Sequence, residues 1–354
     1  MLMNARIDEV LPRFDKLPRA SLGFFPTPLQ RLDRLSDRLG VNLYIKRDDF
    51  TGMSLFGGNK VRKLEFLLGE AKKNGCEYAV TYGATQSNHA METATACRRL
   101  GMKPILYLTA VVPPDEADVR ANLLLDRMLD AEIHIVPIEP GETEAEAEAR
   151  SFVMGAARAA ELTLGGRPCI DIPMGGAAPV GSVGFALGYV ELAQQLGALG
   201  LTADYLFHST GTGGTLAGLA AGRKLLYDGT RIISVSASPK DPVAYPRKVA
   251  ELGNTVLRML GSMLSIDPEL DLCVDTSYYL PGYEQPNAAA SEAIRLLARE
   301  EGLFLDPVYT GKAFAGMLDY IRTGRVAQGD TVVFWHTGGA TALFAEREIL
   351  GDVF

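Results

Sequence analysis

A lysine that follows two glycines and an asparagine is the first residue whose position could support chemistry. The segment is Gly57-Gly58-Asn59-Lys60, and a helix is predicted over 61–73, so Lys60 stands at its first turn. The positive end of the helix dipole disfavours an ammonium there and lowers the pKa of the amine. A neutral amine is the nucleophile that condenses with an aldehyde. Lys60 is therefore a candidate for Schiff-base chemistry, and the alternative is an ordinary surface lysine.

A glycine-rich segment lies between a predicted strand over 205–208 and a helix that ends at residue 226. It reads Ser209-Thr210-Gly211-Thr212-Gly213-Gly214-Thr215, and we call it the glycine loop. Glycines permit turns that aim successive N–H groups at an anion, and the helix N-terminus and threonine hydroxyls add to the attraction. A P-loop lysine is missing, and the last glycine of the dinucleotide fingerprint falls on Leu216. We expect a monophosphate here, held with the help of Lys63; a purely structural turn is the alternative.

A third polar segment follows the predicted strand over 78–82 and opens a helix to residue 100. It reads Gly83-Ala84-Thr85-Gln86-Ser87-Asn88-His89. Uncharged hydrogen-bonding groups at a helix start suit a substrate carboxylate, although Ser87 or Asn88 could simply cap the helix. An amine, a phosphate loop and a carboxylate site together indicate pyridoxal 5′-phosphate (PLP) acting on an amino acid.

Several motifs, in this order along the chain, resemble those of one enzyme family. The sequence resembles the D-cysteine desulfhydrase and 1-aminocyclopropane-1-carboxylate deaminase family, a branch of the fold-type II, tryptophan-synthase-β-like PLP enzymes. The resemblance spans nearly the whole chain. The motifs are Pro26-Thr27-Pro28-Leu29, Lys46-Arg47-Asp48-Asp49, G-G-N-K-x-R-K-L-E from Gly57, G-A-T-Q-S-N-H-A from Gly83, S-T-G-T-G-G-T from Ser209, D-P-V-Y-T-G-K from Asp306 and H-T-G-G from His336.

The resemblance implies a role for each matching residue. Lys60 would bind PLP covalently and move the Cα proton of the substrate. The glycine loop from Thr210 to Thr215, with Lys63, would hold the phosphate. The family pattern also assigns Asn88 to the phenolic oxygen of the ring, Ser87 and Gln86 to the substrate carboxylate, and Tyr283 and Tyr309 to the substrate. Without the family, both tyrosines would be predicted to be amphipathic core residues.

One departure from the family concerns the pyridine nitrogen. Cyclopropane-opening deaminases carry a glutamate directly after the Pro-Val-Tyr tyrosine, where this chain has Thr310. A hydroxyl from Thr310 or Thr337 would leave the nitrogen poorly protonated and the cofactor a weaker electron sink. This favours prompt expulsion of a good β-leaving group. We therefore expect conversion of D-cysteine and water to pyruvate, ammonia and hydrogen sulfide.

Other functions fit the same residues less well. Relatives that act on cysteate or other β-substituted alanines share these motifs, and Met91 stands where several relatives carry a basic residue. Thr310 disfavours the deaminase reaction. Retention of Lys60, Ser87 and both tyrosines disfavours a non-enzymatic PLP-binding sensor, and the incomplete glycine motif disfavours a nucleotide-binding module.

Composition limits the partners and the location. The 354 residues carry a formal charge of −8, which argues against nucleic-acid binding. Apolar runs such as 105–112 are too short to cross a membrane, and the first residues lack a secretory signal, so a cytoplasmic enzyme is expected. No metal site or disulfide framework is expected, because the four cysteines form no C-x-x-C pair: Cys76, Cys97, Cys169 and Cys273.

Short β-rich runs alternate with helical patterns, which predicts an α/β protein with parallel sheet. The resemblance implies two open, twisted, mainly parallel sheets flanked by helices, and a homodimer. Glycine and proline clusters at 165–168 and 173–176 predict a crossing between two lobes near residue 170. We expect residues 1–56 and 170–354 to form a large PLP-binding domain and 57–169 a small α/β domain, with PLP in the cleft. The predicted strands cover 42–45, 78–82, 104–108, 133–136, 205–208, 232–235 and 331–335.

Overall fold

A computed structural model describes residues 2–53, 57–345 and 348. Helices and strands alternate along most of the chain. The helices are α1 (Leu2–Phe14), α2 (Asp33–Leu39), α3 (Lys60–Lys73), α4 (Asn88–Arg99), α5 (Ala121–Met128), α6 (Glu144–Leu164), α7 (Pro179–Ala198), α8 (Gly214–Leu226), α9 (Ala244–Met259), α10 (Ala288–Glu301) and α11 (Thr310–Arg322). The strands are β1 (Leu29–Arg31), β2 (Asn42–Arg47), β3 (Tyr78–Ala84), β4 (Lys103–Ala110), β5 (Glu132–Pro137), β6 (Cys169–Asp171), β7 (Tyr205–Thr210), β8 (Arg231–Ser236), β9 (Cys273–Asp275) and β10 (Thr331–His336).

The strands form two sheets, which confirms the predicted α/β class. The larger sheet has the order β1-β2-β10-β7-β8-β9, and only the edge strand β1 is antiparallel to its neighbour within it. The smaller sheet has the order β5-β4-β3-β6 and is parallel throughout. Each strand predicted from the sequence is present. The division into two domains stays a prediction, and β6 crosses its expected boundary at residue 170.

A helix buried on nearly all sides, α7, lies between α3 and α8 at the centre of the larger core. Phe185 of α7 packs against Trp335 of β10, and neither side chain is exposed. Glycines let the helices approach closely, because a Cβ at Gly184 would lie 2.0 Å from the carbonyl oxygen of Arg62. The position of α3, and with it that of Lys60, thus depends on its contact with α7.

A buried ionic network also fixes α3. The Arg62 guanidinium donates from Nε to Asp48 Oδ2 at 2.7 Å and from Nη1 to Glu191 Oε2 at 3.0 Å. Asp48 follows β2 and also accepts a 2.7 Å hydrogen bond from the indole of Trp335. Burial alone would raise the pKa of Glu191, but Arg62 and Lys46 lower it to about 2. Since removing one partner would leave a buried charge unpaired, this network holds α3, β2 and α7 in one arrangement.

Among the residues described, no helix has both the length and the apolar character needed to cross a membrane.

The contact between α3 and α7 leads to a prediction about stability. Gly184→Ala should lower the free energy of unfolding by about 1–3 kcal/mol, because the new Cβ would overlap the backbone of α3. Urea unfolding followed by circular dichroism measures the change.

Gly229→Ala is the matched control, since a Cβ there meets no atom within 4 Å among the residues described. It should leave stability unchanged or raise it by less than about 1 kcal/mol. Equal stabilities for the two variants would contradict the close contact.

Candidate active site

The turn before Lys60 is anchored to the end of β10. The backbone N–H of Asn59 donates to the carbonyl of Thr337 at 3.0 Å, and Gly58 forms an isolated bridge with Gly338. A Cβ at Gly338 would lie 2.6 Å from the carbonyl oxygen of Gly57, and the φ of +87° also favours glycine. These contacts place Lys60 beside Thr337, at the carboxyl end of the larger sheet.

The Lys60 amine is partly buried and donates to Asn59 Oδ1 at 2.8 Å. Burial lowers its pKa, and the negative charges of Glu92 and Asp306 oppose that shift. The direction agrees with the expectation from the sequence, but the largest cause is loss of water around the amine rather than the helix dipole. The amine is thereby made more available as a nucleophile.

The glycine loop forms the start of α8, as the sequence predicts. Gly213 has a φ of +96°, and α8 begins at Gly214. A Cβ at Gly214 would lie 3.2 Å from Lys63 Nζ and 3.3 Å from Ser182 Oγ. The Ser182 hydroxyl is buried and has no hydrogen-bond partner within the described part of the chain. The Lys63 amine, an unsatisfied hydroxyl and a helix N-terminus therefore surround the space beside the Cα of Gly214, which fits a phosphate group.

Other contacts fix the ends of this loop. Thr215 Oγ1 accepts from Asn59 Nδ2 at 3.3 Å, which joins the loop to the lysine turn. The Tyr245 hydroxyl lies 2.8 Å from Thr210 Oγ1 and donates to the carbonyl of Gly211 at 3.0 Å. The hydroxyl of Thr212 faces Gly175. Tyr245 was not singled out by sequence analysis, because its partners are more than thirty residues away along the chain.

The third polar segment forms the start of α4, and its side chains have different roles. Ser87 caps the helix, because its Oγ accepts from the backbone N–H of Ala90 at 3.2 Å. Gln86 Oε1 accepts from the backbone N–H of Asn122 at 3.0 Å. Asn88 Oδ1 accepts from Asn122 Nδ2 at 2.8 Å and from Thr341 Oγ1 at 3.1 Å. Asn122, a buried residue that the sequence analysis missed, thus orients both amides.

The two predicted tyrosines lie together. The hydroxyls of Tyr283 and Tyr309 are 2.5 Å apart, and the rings meet edge to face with centroids 5.7 Å apart. Tyr309 Cε1 lies 3.7 Å from the position of a Cβ at Gly211, so the pair adjoins the glycine loop. Burial raises the pKa of both phenols, which keeps them protonated. Neither ring is fully buried, in contrast to ordinary core tyrosines.

The hydroxyl of Thr310 is bonded to a buried carboxylate. Thr310 Oγ1 donates to Asp306 Oδ1 at 2.5 Å and accepts from the backbone N–H of Asp306 at 2.8 Å. The hydroxyl of Thr337, by contrast, pairs with Ser209 Oγ at 3.1 Å. The proton of Thr310 is thus used in the bond to Asp306. In the Thr337–Ser209 pair, either hydroxyl can donate to the other, so one proton remains for another acceptor.

The side chains of Asp306 and Asn88 both lie beside Gly339. A Cβ at Gly339 would lie 3.0 Å from Asp306 Cγ and 3.2 Å from Asn88 Nδ2. The structure thereby collects the lysine turn, the glycine loop, Asn88, Thr337 and Tyr309 around one region. In the sequence, Asp306 is distinguished only as the first residue of the D-P-V-Y-T-G-K motif, and no pattern there indicates its contact with Thr310. The roles of the individual residues stay predictions.

Comparisons with known proteins identify the family. A family model described as "Pyridoxal-phosphate dependent enzyme" matches residues 20–338. A Pyrococcus abyssi protein with the provisional name 1-aminocyclopropane-1-carboxylate deaminase is 37% identical over 343 residues, which cover 97% of each chain. D-cysteine desulfhydrase from Salmonella choleraesuis is 37% identical over 339 residues, which cover 95% of this chain and 98% of that protein.

A solved structure shows the same fold over the whole chain. The crystal structure of an ACC deaminase homologue superposes with a TM-score of 0.85 at 32% identity, and covers 98% of this chain and 99% of that one. Threonine deaminase isoform 2 from Solanum lycopersicum, at 20% identity and a TM-score of 0.64, shows the fold alone; 95% of this chain and 85% of that chain are covered. The chain therefore belongs to the pyridoxal-phosphate-dependent enzymes of fold type II, and it is a PLP-dependent lyase.

Proposed function

We propose that the protein is a D-cysteine desulfhydrase, which converts D-cysteine and water to pyruvate, ammonia and hydrogen sulfide. The observation that carries this proposal is the residue after Tyr309. Thr310 is uncharged, and its hydroxyl proton is committed to Asp306. Because no carboxylate is offered from this position, the site suits loss of a good β-leaving group better than opening of a cyclopropane ring.

The residues present fit PLP. The cradle of Lys63, Ser182 and the glycine loop suits its phosphate, and Asn88 presents its Nδ2 to the region beside Lys60. When bound, PLP supplies the electron sink that makes the substrate Cα–H acidic. Lys60 would hold PLP covalently and then accept the Cα proton at Nζ, which burial keeps more readily neutral.

The start of α4 would bind the substrate carboxylate. Ser87 Oγ already accepts from Ala90, so its own O–H proton is available to donate to a carboxylate. The positive end of the α4 dipole adds to this attraction. The side chain of Gln86 hydrogen-bonds to the backbone of Asn122 and Arg120. While it keeps these contacts, Gln86 forms part of the pocket wall and does not bind the carboxylate.

The tyrosine pair would face the β-substituent. Both phenols are protonated, and one of them donates to the other. One O–H proton is therefore left over, and it would stabilise the sulfur anion as the C–S bond breaks.

One observation favours a second candidate, deamination of 1-aminocyclopropane-1-carboxylate. The buried Asp306 carboxylate accepts a hydrogen bond from the Thr310 hydroxyl. Through this hydroxyl, a negative charge lies close to the position at which cyclopropane-opening deaminases carry a glutamate. Other β-substituted alanines, including cysteate, also stay candidates. The proposal includes a cytoplasmic location and a homodimer.

The first test concerns the attachment of PLP. The purified protein should be yellow, with a visible band that borohydride abolishes, and Lys60→Ala should lack this band. Lys72→Ala, on the far end of α3, is the control and should keep it. A colourless wild-type protein that gains no band when PLP is added would refute the assignment of Lys60.

A second test separates the candidate substrates. Release of pyruvate should be greatest from D-cysteine within a panel of D-cysteine, L-cysteine, L-cysteate and D-serine, and with D-cysteine an equal amount of sulfide should accompany it. Release of 2-oxobutyrate and ammonia from 1-aminocyclopropane-1-carboxylate should be at least about 100-fold slower, equivalent to about 2.7 kcal/mol in the barrier. A deaminase rate that equals or exceeds the sulfur reaction would reverse the assignment.

A third test concerns the glycine loop. Tyr245→Phe removes the hydroxyl that bonds to Thr210 and Gly211. It should weaken PLP binding about 5- to 10-fold, because part of the free energy of these two neutral hydrogen bonds no longer supports the loop. Absorbance titration of the apoprotein measures the dissociation constant. Tyr189→Phe, which loses a bond to Asp228 elsewhere, should leave that constant unchanged. Identical values for the two variants would show that Tyr245 does not support the loop.

A further inference from the structure

A buried acidic residue, Glu92, lies directly beneath the lysine turn and has no role in the reaction as described so far. It is on α4, one turn after Asn88, and only 2% of it is exposed. A Cβ at Gly58 would lie 2.2 Å from Glu92 Oε1, so the carboxyl group occupies the space that the glycine leaves free. The lysine turn and the carboxyl group are thus packed in direct contact.

The carboxyl group satisfies the open N-terminus of α3. Asn59, at the cap position, makes no capping bond with its side chain. Instead, Glu92 Oε2 accepts from the backbone N–H of Val61 at 3.1 Å, and the N–H of Lys60 also points to this carboxyl group. A residue of α4 therefore performs the capping of α3.

The ionisable groups around Glu92 are mainly basic side chains. Lys60 and Lys63 face it from α3, and both act on it electrostatically. His89, on the same helix, is buried, which lowers its pKa well below the ordinary value and keeps it neutral. Asp306 is the other carboxylate that acts on Lys60. Burial raises the pKa of Glu92 to about 7, against the opposing effect of Lys60.

We propose that Glu92 is a positioning residue for Lys60: its carboxyl group fixes the first turn of α3 against α4 and supplies the negative charge that faces the lysine amine. The bond to Val61 ties the Lys60 backbone to the helix that begins with Ser87 and Asn88. Glu92 thereby links the lysine turn directly to the helix whose start is proposed to bind the substrate carboxylate. The charge also opposes the effect of burial on the pKa of Lys60 and so raises the pH at which the amine becomes neutral.

The inference rests on the proposed attachment of PLP to Lys60, and the test measures that attachment in the apoprotein. The rate at which the apoprotein combines with PLP, followed by absorbance from pH 6 to pH 10, rises as Lys60 loses its proton. An ionised Glu92 favours the ammonium and raises the pKa of Lys60. Glu92→Gln keeps an oxygen for capping but removes the charge. The inflection of the plot of this rate against pH should therefore move to lower pH by about one unit.

Glu65→Gln is the matched control. Glu65 is also a buried carboxylate of α3, but it accepts from the backbone N–H groups of Leu22 and Gly23 and pairs with Arg19. This variant should leave the inflection where the wild type has it. An inflection for Glu92→Gln that coincides with the wild type would overturn the inference, as would an equal shift in the control.

Glu92→Asp keeps the charge but shortens the side chain, so it provides an independent test if Glu92→Gln does not fold. It should hold the inflection within about half a unit of the wild type and weaken PLP retention about 5-fold or more, because the cap is strained. Retention equal to the wild type would refute the positioning role. A wild-type apoprotein that does not combine with PLP at any pH would instead refute the attachment itself.

Discussion

The site depends on the buried network that holds Arg62. Arg62 and Lys60 belong to the same turn of α3, so the bonds from Arg62 to Asp48 and Glu191 also determine where the amine lies. Such a network contributes little net stability, because both charges lose their hydration, but it discriminates strongly against other arrangements of the helix. The bond from Trp335 to Asp48 extends this constraint to β10, whose end carries Thr337. The lysine turn and the end of β10 are therefore positioned by the same buried charges.

The resulting site brings two lysine amines close together in a buried space. Burial lowers the pKa of Lys63 well below its ordinary value, and Lys60 lowers it further. The Glu92 carboxyl group accepts a hydrogen bond from Val61, which lies between the two lysines. The dipole of α8 adds positive potential at the glycine loop. A phosphate bound at the glycine loop would satisfy Lys63 and the Ser182 hydroxyl together. Binding of PLP should thus relieve an electrostatic cost that the fold otherwise carries in its core.

Sequence patterns predicted the parts of this site that are local. Strand β7 is a short buried run, α8 is a segment rich in alanine and leucine, and the glycine loop between them has its own conformational signature. Edge strands of three residues, such as β1, carry too few residues for a pattern. The contacts of Tyr245, Asn122 and Glu92 could not be predicted, because they join residues more than thirty positions apart or depend on how two helices pack.

The choice of reaction also depends partly on a local residue type and partly on contacts that only the folded chain shows. The sequence shows that Thr310 is uncharged, but only the structure shows that its proton belongs to Asp306. A hydroxyl in that state can accept a hydrogen bond from a ligand but cannot donate one, whereas the Thr337–Ser209 pair can do either. A neutral pyridine nitrogen requires a donor and therefore fits Thr337 better than Thr310. The weak electron sink expected for β-elimination thus depends on two hydroxyl pairs, and the family motifs alone do not distinguish between them.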